Sequence, residues 1–152
     1  MSEVSQRIEE LVGELNAFSN WEDKYAHIIQ CAKLLEPMAE NHKVETNLVK
    51  GCQSQVWLAA DLDGEVGPSE GQLIHFSADS DASIVKGIIS ILLRVYNNLT
   101  PTEVLAVDDS FIDQIGLRQH LSMSRANGLN SMLKQIKLYA LAYKTKIEMA
   151  KG

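Results

Sequence analysis

The stretch from Ala82 to Asn97 limits the fold more than any other part of the chain. Ile84, Val85, Ile88, Ile89, Ile91, Leu92, Leu93, Val95 and Tyr96 recur at helical steps, and they go most of the way round the helix they predict. Such a helix must be covered on nearly every side. No stretch of the sequence approaches the ~18 uninterrupted apolar residues of a membrane span. The 152 residues are enough for one domain that buries about two-thirds of its unfolded surface. Residues 1–152 therefore read as a single domain.

The layers around this helix are legible on both sides of it. Val4, Ile8, Leu11, Leu15 and Phe18 mark an amphipathic helix, with Ser2 placed to cap it. The chain restarts at Ser19 or Asn20. A second helix follows from Trp21 to Leu35 on the spacing of Trp21, Tyr25, Ile28, Ala32 and Leu35, with Glu22 and Asp23 in its first turn and Pro37 just beyond. Residues 38–47 are polar and read as a connecting loop. The period then changes: Val56, Leu58, Ala60 and Leu62 alternate with more polar neighbours, as do Ile74, Phe76 and Ala78. Asp63-Gly64, with Gly67, Pro68 and Gly71 behind it, joins these two strands as a hairpin with a long loop. Residues 46–50 add a third strand. Asp79, Ser80 and Asp81 offer N-caps to the apolar helix. Thr100-Pro101 opens a short helix to about Val107, and Ser110 caps another that ends at Gly116. After a connection over Leu117–Met123, Leu129, Met132, Ile136, Ala140, Tyr143 and Ile147 mark a long C-terminal helix. The expected class is α+β, a small antiparallel sheet of about three strands packed against several helices.

One short stretch carries chemistry. Gly51-Cys52-Gln53-Ser54 puts a thiol on a tight turn, where Gly51 frees the backbone and Gln53, Ser54 and Gln55 keep the turn polar before the strand begins. A thiol presented in this way suits a nucleophile, and a small hydrophobe in a loop fits the same residues. The residues alone leave both readings open. Cys31, beside the apolar stripe of its helix, reads as core. Lys50, Arg118 and Arg125 are cations that lower the pKa of Cys52 if the fold brings them close. His75 or His120, oriented by a carboxylate such as Asp81, would make a Cys–His hydrolase on the same condition. A non-catalytic interaction module with an inert cysteine is the third class. Trp21 and Tyr25, one helical turn apart, read as packing.

Several classes are disfavoured. His27, His42, His75 and His120 are scattered without ligand spacing, so no metal site is expected. Two cysteines with no Cys-x-x-Cys pair make no disulfide framework and suit a reducing compartment. A net charge of −6 lacks the basic footprint of a nucleic-acid binder. Glu3, Glu9, Glu10 and Glu14 do not suit a signal peptide. The expectation is a cytoplasmic protein that engages neither nucleic acid nor membrane.

WEDKY at 21–25, GCQSQVW at 51–57, DSDASIVKGI at 79–88 and SRANGL at 124–129 occur in this order. With them the chain resembles the SufE family of sulfur-acceptor proteins from about Trp21 to about Lys137, and GCQSQVW is the most specific element. The resemblance implies a SufE/IscU-like fold and an accessory protein rather than an enzyme. By it, Cys52 takes persulfide sulfur from a PLP-dependent cysteine desulfurase, stimulates that enzyme, and relays the sulfur to an iron–sulfur scaffold or another acceptor. Gly51, Gln53 and Ser54 are then the supporting loop, and Asp79, Ser80, Asp81, Lys86 and Arg125 belong to the surface for the desulfurase. Ser124-Arg125 and Gly128-Leu129 match the family's SRxxGL pattern, which supports the loop or the same surface. No cofactor of the chain's own is implied, since PLP belongs to the partner, and a homodimer is left open. Ala78 stands where the family often has glycine, a small change. Lys144, Lys146 and Lys151, outside the match, read as favourable charge at a helix C-terminus. A carrier has to shelter its loaded sulfur and still deliver it, so the cysteine turn is expected to have two states.

Overall fold

The structure is a computed structural model that describes residues 2–152, and its centre is the third helix, α3, Ser83–Tyr96. Ten of the 14 residues of α3 are buried, as an apolar pattern on all sides requires. Helix α1, Glu3–Asn16, is capped by the Ser2 side chain, and α2, Trp21–Cys31, by that of Asn20. Both pack on α3. The crossing of α2 over α3 is close at Gly87, where an added Cβ would overlap the Ile28 carbonyl and lie 2.7 Å from its carbon. A glycine in this helix gives up about 1 kcal/mol of helix propensity relative to alanine, and close approach is what it gains. Helix α2 is shorter than the apolar spacing suggests. Its last turn tightens into a 3-10 helix, Ala32–Leu34, shortly before Pro37 excludes further helix. Two more 3-10 turns, Glu40–His42 and Glu45–Asn47, lie in the polar loop.

Strands β1, Val56–Leu62, and β2, Ile74–Ser80, pair antiparallel, with Val56 opposite Ser80 and Leu62 opposite Ile74. Val56, Leu58, Ile74, Phe76 and Ala78 are buried on the core face, and β2 packs on α3. The expected third strand is reduced to a single bridge, in which Leu48 opposes Trp57 and the Val49 N–H donates to the Val56 carbonyl at 2.8 Å. Side chains of the C-terminal helix α7, Met123–Ala150, take over the rest of that edge. The Tyr139 and Tyr143 hydroxyls donate to the Leu58 and Ala60 carbonyls at 3.2 and 3.0 Å. The outer edge of β2 is closed in a similar way. Ile74 donates to the Leu99 carbonyl at 2.8 Å and accepts from the Asn98 N–H at 3.0 Å. The Asn97 side-chain amide accepts from the Phe76 N–H at 2.7 Å and donates to the Phe76 carbonyl at 3.2 Å, as the backbone of a third strand would.

Between β2 and α7 the chain keeps to the expected order. Helix α4, Pro101–Ala106, has Pro at its first position and a reciprocal capping box between Thr100 and Glu103. Helix α5, Ser110–Ile115, is not capped by Ser110, which is its first residue; the Asp108 carboxylate accepts the Ser110 N–H at 3.0 Å. It ends at Gly116, whose φ is 89°. The connection that follows contains one helical turn, α6, Leu117–His120. Helix α7 then begins at Met123, where the expected connection ends, and the Ser122 hydroxyl caps it by accepting the Arg125 N–H.

Candidate functional site: the Cys52 turn

The bridge between Val49 and Val56 closes the chain into a loop with Cys52 inside it. Gly51 has φ +88°, a conformation that favours glycine, and a Cβ there would lie 2.8 Å from the Ser131 Oγ of α7, which would have to rotate away. The far end is clamped through Gln55. Its N–H donates to the Asp81 carboxylate at 3.1 Å, and its carbonyl accepts from the Ser80 hydroxyl at 2.7 Å and the Asp81 N–H at 3.3 Å. This corrects the expected role of Asp79, Ser80 and Asp81. The N-cap of α3 is Ala82, with no side-chain bond, and the Ser80 and Asp81 side chains serve the cysteine loop instead.

Asp79 has a different set of partners. Its carboxylate meets Lys43 at 2.8 Å and Lys86 at 3.3 Å, and it accepts the Ser80 N–H at 2.8 Å. Burial works against its ionisation, but Lys43, the Ser80 N–H and Lys86 outweigh that and hold the carboxyl below its ordinary value. Lys43 sits in the loop that sequence reading left featureless, and only its neighbours in space give it a role.

The Cys52 side chain turns inward. Its thiol donates to the Gly128 carbonyl at 3.7 Å, on the first turns of α7. Gly128 is the floor of this site, since a Cβ there would stand 3.2 Å from the sulfur. Around the thiol is a cavity of about 20 Å³ bounded by Gln53, Ser54, Val85, Ile88, Arg125 and Met132, among others. Burial raises the Cys52 thiol above its ordinary value, and among the described residues no charge offsets it. Of the three candidate cations, Arg125 borders the cavity and Lys50 is exposed. Arg118 is committed to Asp109 and Asp113, at 3.1 and 2.9 Å. The resting thiol is therefore protonated and poorly nucleophilic.

The histidines lie elsewhere. His75 is near Glu36 and Asn98, and His120 stacks on Trp21 with 4.3 Å between ring centroids. Neither borders the Cys52 cavity, and Asp81 is occupied by Gln55, so a Cys–His hydrolase has no base in this arrangement. Trp21 packs against Tyr25 as well as His120. Cys31 is a core residue at 2% exposure, its thiol also raised by burial. The residues that sequence reading missed around Cys52 are Val85, Ile88 and Met132. A signal for Met132 was present: Ser124, Gly128 and Met132 follow at steps of four, one helix face, once α7 is known to start at Met123.

The architecture is similar to the solution structure of a hypothetical protein from Thermus thermophilus. The TM-score is 0.72, with 19% identity over 91% of this chain and 96% of that one, a likeness of fold. Residues 9–140 match the family described as "SufE: Fe-S metabolism associated domain". That span includes Cys52 and its turn, the clamp at Ser80 and Asp81, and the Arg125–Leu129 face of α7. The chain belongs to the SufE family, whose domain is associated with iron–sulfur metabolism.

Proposed function

We propose that Cys52 accepts persulfide sulfur from a PLP-dependent cysteine desulfurase and passes it on toward iron–sulfur cluster assembly. The observation that carries this reading is the cavity beside the thiol. Its volume of about 20 Å³ compares with the ~10–15 Å³ that one water needs, so it has room for about one added atom the size of an outer sulfur. Transfer asks for nothing beyond the thiol. The Cys52 thiolate attacks the outer sulfur of the donor persulfide and a new S–S bond forms. The donor's S–S bond breaks, and its electron pair leaves with the donor cysteine sulfur, which takes up a proton. No external oxidant or reductant enters, and the same exchange repeated delivers the sulfur to the next acceptor thiol. Each transfer clears the donor cysteine, which is how the protein stimulates the desulfurase. PLP stays with the partner.

Docking supplies the missing nucleophilicity. Drawing Cys52 out of its cavity removes the burial that keeps it protonated, and Gly51 supplies the hinge. The sheltered and extended states are then the resting and delivering forms of the carrier. Lys86 and Arg125 offer cations to the desulfurase, while Asp79, Ser80 and Asp81 fix the loop and the lysines from behind. The test is intact mass after mixing the protein with a desulfurase and L-cysteine without reductant. Wild type gains one sulfur on Cys52. Cys52→Ser gains none and stimulates nothing, while Cys31→Ser keeps both activities. Equal transfer by wild type and Cys52→Ser ends this reading.

A further inference from the structure

Cys31 is also part of a second constellation. His27 and Cys31 are one turn apart on α2 and share a face, and Glu14 reaches them from α1. A ring nitrogen, the Cys31 sulfur and a Glu14 carboxylate oxygen all lie within 4.8 Å of one another. His27 Nε2 is 2.9 Å from Glu14 Oε2, and the Phe18 ring lies against the imidazole at 4.8 Å between centroids, which fixes its plane. None of the three donors borders the Cys52 cavity. Sequence spacing does not expose this group, because its third member comes from another helix.

We propose that Glu14, His27 and Cys31 form a binding site for a thiophilic divalent cation, zinc foremost, with Arg94 as the built-in competitor. Thiolate, imidazole and carboxylate are donor types zinc takes, at bond lengths of about 2.0–2.3 Å that set tetrahedral donors about 3.2–3.8 Å apart. Donors at the outer end of the 4.8 Å spread have to close by about 1 Å, and the His27–Glu14 pair at 2.9 Å has to open slightly, to reach that geometry. The side chains able to move in this way are His27 and Glu14, 30% and 36% exposed, while Cys31 at 2% is the fixed anchor. Their exposed side is also the entry path, where water completes the fourth position. Ligation releases the Cys31 proton to solvent.

Arg94 explains why the site is stable without metal. Its guanidinium forks onto Glu14 with contacts of 2.9 and 3.2 Å and so balances the carboxylate. The same charge repels an incoming cation. Arg94 also borders an open cleft of about 510 Å³, bounded further by Arg7, Leu35, His42, His75 and Asn97, and so has space into which to swing. Metal binding exchanges one cation for another at Glu14 and ties α1 to α2.

The test is titration of the purified full chain, stripped of metal, with Co²⁺ as a spectroscopic stand-in and Zn²⁺ as displacer. Wild type is expected to bind one Co²⁺ with a thiolate-to-metal charge-transfer band that Zn²⁺ abolishes. Cys52→Ser keeps the band, Cys31→Ser loses it, and His27→Gln, at a partly exposed position that folding tolerates, weakens binding. Arg94→Met tightens it about fivefold, the scale of one lost partly exposed charge pair. No charge-transfer band in wild type overturns the site, as does a band that survives Cys31→Ser and disappears in Cys52→Ser. Weaker or unchanged binding in Arg94→Met overturns the role given to Arg94.

Discussion

Replacing Gly128 with alanine perturbs the thiol's resting place and little else. The new Cβ would stand 3.2 Å from the Cys52 sulfur but 3.5 Å from its Cα and 3.6 Å from its Cβ, so only the sulfur is crowded. It has to yield by a few tenths of an ångström or rotate away. A side chain forced about 30° from its rotamer loses about 0.5–1.5 kcal/mol. Taking about 1 kcal/mol as the penalty on the sheltered state, the ratio of extended to sheltered thiol rises about fivefold. Position 128 lies inside α7, where alanine gains about 0.8–1.0 kcal/mol of helix propensity over glycine, so global stability should hold or rise. The assay is the rate of iodoacetamide modification at Cys52, read by peptide mass, beside a thermal melt. Gly13→Ala is the control, because it makes the same backbone change in α1 with nothing within 4 Å of the new Cβ. Gly128→Ala should react about fivefold faster than wild type and Gly13→Ala. An unchanged or slower rate with the melting temperature retained would refute the view that the sulfur rests on Gly128.

Other expectations follow from the same contacts. Burial raises the Cys52 thiol, so its alkylation rate should rise with pH through a midpoint above that of an ordinary thiol, and the Gly128→Ala profile should move back down. With the folded pKa raised, the stability contributed by the sheltered thiol is present below the unfolded thiol pKa and lost as pH rises through the folded one; denaturation of wild type against Cys52→Ser between neutral and alkaline pH reads this. Asp79→Asn should lower the denaturation midpoint at neutral pH. The folded carboxyl is lowered, so that contribution exists above the ordinary carboxylate range and fades as pH falls through the folded value, where variant and wild type should converge. Gly87→Ala should destabilise by about 3 kcal/mol in chemical denaturation, because α2 has to lift off α3 to admit the methyl. A loss below that of an ordinary surface change would mean that the crossing is looser than the structure has it.

The apolar pattern of α3, the hairpin and the Thr100-Pro101 start were legible because each depends on residues close in sequence. The third strand was not. Residues 46–50 have strand-like composition, but the edge they would occupy is completed by the Tyr139 and Tyr143 hydroxyls from a distant helix. Ser80 and Asp81 do not cap α3 as expected for a related reason, since the side chains that suit an N-cap also suit a clamp on Gln55, and only tertiary structure decides between them. The turn that presents Cys52 was visible in Gly51-Cys52-Gln53-Ser54. The depth of the sulfur was not, because its floor is Gly128, a residue with no side chain to announce a contact.

A two-stranded hairpin ordinarily offers two rows of backbone groups to any passing extended segment. Here Val49 and two tyrosines occupy one row at Val56, Leu58 and Ala60, and Leu99, Asn98 and the Asn97 amide occupy the other at Ile74 and Phe76. At those positions the protein resists self-association by strand pairing, the usual liability of a small sheet. At the same positions it hinders a partner from annealing a strand of its own. Along those stretches recognition is left to side chains, so a partner that meets them must read residue identity rather than backbone shape.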